Sequence, residues 1–204
     1  REDPRDAFLS LTAKSVADLP VGATVGSSSV RRTAQMLRLR PDLKTVLFRG
    51  NVETRLRKLS EGVADATFLA CAGLNRLGLA GEITNAMPTE IMLPAIAQGA
   101  IGIEIRQGDD ETRQLLSGIN HRESAIAVAC ERAFLQALDG SCRTPLAGHA
   151  TLDGDRLSFR GHALTLDGVH CFETTRQGSI GDAARMGSDA GAEVKARGGA
   201  LIAF

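Results

Sequence analysis

The chain of 204 residues contains no tryptophan and no tyrosine, and aromatic residues make up only 3% of it. Proteins that hold single-stranded nucleic acid stack the bases on aromatic side chains, and nucleic-acid-binding domains usually carry a basic surface. The formal net charge of this chain is zero. Both features argue against a nucleic-acid partner.

Long apolar runs are absent too. No stretch of about 18 apolar residues occurs, so the sequence predicts no membrane-spanning helix and no membrane partner. The four cysteines show no C-x-x-C spacing, and none of the four histidines is a neighbour of Cys142. We therefore predict neither a metal site nor a disulfide, and we expect the reducing environment of the cytoplasm.

Lysine is scarce, since 24 residues are basic but only four of them are lysines. Arginine presents a planar fork that matches carboxylate and phosphate oxygens in pairs, so the bias favours recognition of an anionic ligand. A GC-rich genome, which favours arginine codons everywhere, would produce the same bias. Composition does not separate these explanations, but the positions of the arginines do.

Residues 23–105 alternate short apolar segments with helical patterns. Such alternation predicts βαβ units around a mostly parallel sheet, with ligands bound at the carboxyl ends of the strands. The fold class expected for this part is α/β, an anion-binding domain of the periplasmic-binding-protein type. We predict strands over 24–26, 45–48, 66–70 and 100–105, and helices over 30–39, 52–60 and 74–77.

The pattern changes at residue 121, where one long helix is predicted to run to about 138. Three alternating segments follow, separated by turns that contain Asp-Gly, a strong hairpin signal. A final helix closes the chain. This predicts a small α+β domain with a three-stranded antiparallel sheet over 147–152, 156–165 and 169–175, and a helix over 181–197.

Arginines follow the predicted strand ends. The first strand leads into three serines, of which Ser29 precedes a helix that carries Arg31 and Arg32 in its first turn. Cations there oppose the helix dipole, so a bound anion would explain them; the alternative is a serine cap with two solvated arginines. The same placement recurs at the next two strand ends. We therefore predict a carboxylate or phosphate cleft that contains Ser29, Arg31, Arg32, Arg49, Gly50, Arg55 and Arg76.

Cys142 lies in a turn beside Arg143, outside any apolar run. An exposed thiol next to a guanidinium group is biased toward the reactive thiolate, so we predict that Cys142 is a point of covalent attachment. Cys71, Cys130 and Cys171 lie in apolar or strand-like segments instead. Free cysteine is usually a small buried hydrophobe, and that is the interpretation we give these three.

Several segments, in this order, resemble porphobilinogen deaminase, also called hydroxymethylbilane synthase. The loop Gly140-Ser141-Cys142 is similar to the cofactor-attachment loop of that family, and the likeness is strongest from Arg1 to Thr144. The other matching segments are REDPRDAF (1–8), VGSSSVRR (25–32), RGNVETRL (49–56), AGLNRLG (72–78) and LPAIAQGA (93–100).

The resemblance implies a transferase of tetrapyrrole biosynthesis that joins four porphobilinogen units with release of ammonia. It implies a dipyrromethane cofactor on Cys142, bound also by Ser29, Arg31, Arg32, Arg49 and Gly50, with Arg55 and Arg76 contacting substrate. The expected partners are porphobilinogen and the growing polypyrrole, and the expected state is a monomer. The competing interpretation is a non-catalytic carboxylate-binding module of the solute-receptor type, which would share the arginines but not the covalent chemistry of the cysteine.

The resemblance also implies that a first domain is missing. On this interpretation residues 1–92 form the central domain, 93–120 cross back toward the missing first domain, and 121–204 form the C-terminal domain with the cofactor cysteine. The catalytic acid would belong to the absent N-terminal segment, so that segment is an expected partner and this polypeptide alone is expected to be inactive. The predicted strand over 100–105 would have lost its sheet neighbours.

Overall fold

The computed structural model describes residues 1–140 and 144–202. Its first sheet has the order β3-β2-β4-β1-β5. Strands β2, β3 and β4 are parallel, while β1 runs antiparallel to β4 and places Asp6 opposite Ala70. The start of β1 therefore lies at the edge where the parallel strands end. The strands are β1 (Asp6–Ser10), β2 (Thr24–Gly26), β3 (Lys44–Val46), β4 (Ala66–Ala70) and β5 (Asn85–Ala86).

Three helices follow the parallel strands: α1 (Val30–Leu39), α2 (Val52–Ser60) and α3 (Cys71–Arg76). Side chains alternate across each strand, so the sheet has a hydrophobic cluster on each face. Phe8 and Phe68 belong to one cluster, whereas Leu9 and Leu69 belong to the other. The predicted α/β architecture is confirmed for this part of the chain.

A second sheet has the antiparallel order β6-β7-β8, as predicted. Helices α5 and α6 pack against it around Phe134, Phe159 and Val194, all nearly fully buried. The two helices approach closely at Gly187, where a Cβ atom would lie 2.0 Å from the Cys130 carbonyl oxygen. The elements of this part are α4 (Asp110–Ser117), α5 (Arg122–Ala137), β6 (Leu146–Asp153), β7 (Arg156–Leu164), β8 (Cys171–Ser179) and α6 (Ala183–Gly198).

The strand predicted over 100–105 is wrong, because this segment has no regular secondary structure. A strand requires a hydrogen-bonded partner, and the described residues supply none for this segment. Its apolar side chains are instead exposed, with Ile101 at 68% and Ile103 at 56%. Strand β1 and helix α4 were not predicted.

Glu131 of α5 holds the start of the chain and the crossing segment to the second sheet. Its side chain is fully buried and accepts a hydrogen bond from Arg1 Nη1 at 2.8 Å. It also accepts from the backbone N–H groups of Ala97 at 2.7 Å and Ala150 at 2.9 Å. A buried carboxylate with three donors is well satisfied, so it fixes the start of the chain and the crossing segment against β6.

Candidate functional site

Asp6 is the centre of the charged cluster at the sheet edge. Its carboxylate is fully buried and forms ion pairs with Arg31 Nη1 at 2.6 Å and Arg32 Nη2 at 2.7 Å. Arg31 Nη2 and Arg32 Nε also donate to Oδ1, at 3.1 and 2.9 Å. Gln98 adds a fifth donor at 3.0 Å. Asp6 is thus saturated with hydrogen bonds.

The two arginines are also held from the other side. Arg31 donates to the Leu93 carbonyl at 2.8 Å and Arg32 to the Phe68 carbonyl at 3.1 Å. Burial alone would raise the pKa of Asp6, but the two guanidinium groups hold it below its usual range. Burial lowers the pKa of Arg32, and the Asp6 carboxylate partly offsets this. The cluster of Asp6, Arg31 and Arg32 keeps one positive charge in excess.

The start of α1 explains why two arginines are tolerated beside a helix N-terminus. Ser29 is the N-cap residue, and its hydroxyl accepts from the Arg32 backbone N–H at 3.4 Å. Cations in a first helical turn oppose the dipole by roughly 0.3–1 kcal/mol each. Here the side chains extend to Asp6, and those ion pairs offset the cost. The two arginines are therefore not solvated, contrary to the alternative considered from the sequence.

Arg49, Arg55 and Arg76 differ from this buried pair. Arg49 and Arg76 are exposed, and within the described residues neither guanidinium group makes a hydrogen bond. Arg55 is half-buried and donates to the Gly50 carbonyl at 2.8 Å and the Ser28 hydroxyl at 3.3 Å. These three side chains keep most of their donors available for an anion.

Gly50 bends the chain between β3 and α2. Its φ is +129°, and a Cβ atom there would lie 2.6 Å from the Thr54 side chain. Only glycine fits this backbone without strain. The bend brings the Gly50 carbonyl to Arg55 and allows Asn51 to cap α2 by accepting from the Thr54 N–H at 2.9 Å.

Arg76 lines a cavity of about 1050 Å³ that the other four predicted arginines do not reach. Arg1, Arg113 and Arg132 share this lining with apolar groups such as Ile101. The structure thus separates the predicted arginines into the buried pair at Asp6, Arg55 beside Ser28, exposed Arg49, and Arg76 at the cavity.

The predicted attachment point, Cys142, lies outside the described residues. The three other cysteines are free. Cys71 and Cys130 are buried as predicted, and burial raises the pKa of their thiols to about 11 and about 12. Burial also raises the pKa of Cys171, which is half-buried. Thiols of this kind are poor nucleophiles near neutral pH.

Comparison with known proteins shows which family the chain matches. Residues 1–114 match a family model described as "porphobilinogen deaminase, dipyromethane cofactor binding domain", and residues 125–196 match "porphobilinogen deaminase, C-terminal domain". The chain belongs to the porphobilinogen deaminase family.

Curated relatives named porphobilinogen deaminase agree with this. Those from Nitrobacter hamburgensis and Nitrobacter winogradskyi are each 54% identical over 199 residues, which is 98% of this chain. One from Paracoccus denitrificans is 54% identical over 197 residues, or 97% of the chain. The chain spans 63% of the length of each of these relatives.

The match to a porphobilinogen deaminase cofactor-binding domain fits the free guanidinium donors of the exposed arginines. A dipyrromethane carries several carboxylates, and guanidinium groups with free N–H donors are the side chains that bind carboxylates best. Arg49, Arg55 and Arg76 retain such donors. Among the described helices, none has both the length and the apolar composition needed to cross a bilayer.

Sequence reasoning missed Asp6, Gln35 and Gln98. Gln35 is buried and holds the Leu93 backbone with two hydrogen bonds, accepting at 2.7 Å and donating at 3.0 Å. Gln98 donates to Asp6 and to the Pro4 carbonyl at 2.6 Å. Asp6 is the last residue of the polar run 1–6, where the sequence analysis predicts no strand. Only recognition of β1 as an antiparallel strand would have placed its carboxylate beside Arg31 and Arg32.

Proposed function

We propose that the gene product containing this chain polymerises four porphobilinogen units into hydroxymethylbilane with release of ammonia, primed by a dipyrromethane on Cys142. The observation that carries the proposal is that two porphobilinogen deaminase family models match the chain in order. The 54% identity to a curated porphobilinogen deaminase supports it. We further propose that it acts in the cytoplasm as a monomer, with porphobilinogen and the growing polypyrrole as its partners.

The roles proposed for the arginines follow from their surroundings. Arg49, with the Gly50 bend and the Ser29 hydroxyl, would bind carboxylates of the cofactor through free donors. Arg55, beside Ser28, would bind a carboxylate of the substrate. Arg31 and Arg32 would add the excess positive charge of their cluster, which a ligand carboxylate neutralises. Arg76 would bind substrate from the cavity. The dipyrromethane, when bound, supplies the nucleophilic pyrrole on which the chain grows.

The general acid is proposed to come from outside residues 1–204. Protonation of a leaving amine requires a carboxylic acid that carries a proton and reaches the substrate. Asp6 is the buried carboxylate nearest the predicted cleft, but it accepts five hydrogen bonds and its pKa is lowered. It is therefore ionised and occupied, which favours a role in positioning the arginines.

The test uses the complete gene product with Cys142→Ser. Mass spectrometry of the purified protein should show the mass of two linked pyrrole units in the wild type and bare polypeptide in the variant, and bilane formation from porphobilinogen should be abolished. Cys130→Ala removes a buried thiol and serves as the control that keeps both. Added mass that persists on Cys142→Ser would place the attachment elsewhere, and a wild type without added mass would favour the non-catalytic binding module.

A further inference from the structure

His162, Cys171 and Glu173 lie together on one face of the β7–β8 hairpin. His162 is directly opposite Glu173, and Leu164 is opposite Cys171. Because side chains two residues apart on a strand share a face, Cys171 and Glu173 both point to the side of His162. One nitrogen, the sulfur and one carboxylate oxygen of these residues all lie within 4.8 Å of one another.

His162 is a buried side chain whose hydrogen bonding is incomplete. The residue is 5% exposed, and its Nε2 atom has no hydrogen-bond partner among the residues that the structure describes. An unsatisfied buried polar atom is destabilising and calls for an explanation. Imidazole nitrogens are the commonest protein ligands of metal ions, so a bound cation would supply this atom with a partner.

We propose that His162, Cys171 and Glu173 form a binding site for one divalent cation of borderline softness, such as Zn²⁺. Imidazole, thiolate and carboxylate are the three ligand types that zinc takes from proteins, and a water molecule would complete four-coordination. Glu173 accepts from Arg160 Nε through Oε1 at 2.7 Å, so its other oxygen is the one that binds the metal.

The charges around the site restrict which ion it takes. The charged groups that act most strongly on His162 and Cys171 are Arg31 and Arg38 of α1, Arg160 of β7, Arg197 of α6 and the ligand Glu173. A thiolate and one carboxylate together neutralise a divalent cation. Hard ions such as Mg²⁺ and Ca²⁺ take oxygen ligands and gain nothing from the sulfur. The arginines repel any divalent cation, and a metal–thiolate bond offsets this repulsion for a softer ion such as Zn²⁺ but not for Mg²⁺ or Ca²⁺.

The sequence holds no sign of this site, since the ligands come from two strands and their spacing matches no zinc motif. This differs from the prediction that the chain has no metal site. The proposal does not depend on the proposed function, because none of the three ligands is among the residues predicted to bind cofactor or substrate.

The test is titration of the metal-free complete gene product with CoCl₂, followed by displacement with ZnCl₂. Cobalt bound to a thiolate gives a charge-transfer band in the near ultraviolet, so the spectrum reports the ligand directly. We expect one saturable Co²⁺ per chain. Cys171→Ser should abolish the band, and His162→Gln should weaken binding by at least about tenfold. His170→Gln and Cys142→Ser, which change a neighbouring histidine and the predicted reactive thiol, should leave the band unchanged.

Absence of saturable binding, or a band that survives Cys171→Ser, would overturn the proposal. Loss of the band in Cys142→Ser would likewise overturn it, because the metal would then be bound by the attachment loop. Circular dichroism checks that His162→Gln folds. Cys171→Ser is nearly isosteric at a half-buried position, so it decides the question even if the histidine variant is unstable.

Discussion

The buried pair, Arg31 and Arg32, and the exposed arginines, Arg49 and Arg76, follow the strands of one sheet but differ in what they bind. The buried pair donates to Asp6 and to two backbone carbonyls, whereas the exposed guanidinium groups make no hydrogen bond within the described residues. In the sequence, all four arginines simply follow predicted strand ends, and nothing separates the buried ones from the exposed ones. Antiparallel strand β1 makes the difference, because it delivers a carboxylate to one of these positions only.

The largest expected effect is therefore at Asp6. Asp6→Asn keeps the shape of the side chain but leaves two buried guanidinium groups without a counter-charge. Breaking a buried ion pair in this way costs about 3–5 kcal/mol. Urea unfolding should show this loss as a lower transition midpoint with an unchanged slope. Asp42→Asn, which removes the carboxylate of a partly exposed pair with Arg40, is the control and should cost less. Equal losses would mean that burial of the cluster contributes nothing.

The second effect is the pH dependence that Asp6 produces. Its folded-state pKa is depressed by Arg31 and Arg32, while in the unfolded chain it takes the ordinary value of about 3.9. The folded state then binds fewer protons than the unfolded state near this pH. The Asp6 contribution is thus fully present above about pH 4 and is lost as the pH falls through the depressed value.

Urea unfolding of wild type and Asp6→Asn between about pH 5 and pH 3 tests this, since the range brackets the unfolded-state pKa. The free energy of unfolding of the wild type should fall more steeply with acid than that of the variant. Their difference isolates Asp6 from the other carboxylates. Parallel curves would contradict the assignment of a depressed pKa.

Local patterns in the sequence predicted much of the fold, since α1, α2, β2 and β4 have the bounds that periodicity and turn residues indicate. The failures involve long-range pairing. The segment over 100–105 has strand-like composition but no ladder partner among the described residues. Asp6 begins a strand that was not predicted, because polar residues precede it. The site followed the same rule. Arginine positions could be predicted, but their partners Asp6, Leu93 and Gln98 are distant in sequence and only the fold brings them together.

The smallest expected effect on stability, and the one that sharpens the comparison most, is at Arg49. Arg49→Ala removes an exposed side chain without a hydrogen-bond partner among the described residues, so the free energy of unfolding should change by no more than about 0.5 kcal/mol. Arg31→Ala removes hydrogen bonds to a buried carboxylate, each contributing about 1.5–3 kcal/mol, and should destabilise the protein clearly.

If Arg49 binds a cofactor or substrate carboxylate, its loss should still lower the bilane-forming activity of the complete gene product by about tenfold or more, the factor that one charged hydrogen bond represents. Arg57→Ala, an exposed arginine of α2 that pairs with Glu61, is the matched control and should leave both quantities unchanged. Unfolding and activity measured on the same three preparations decide the point: if Arg49→Ala is as active as Arg57→Ala, the exposed arginines are a consequence of composition, and anion binding at this edge belongs to the buried pair.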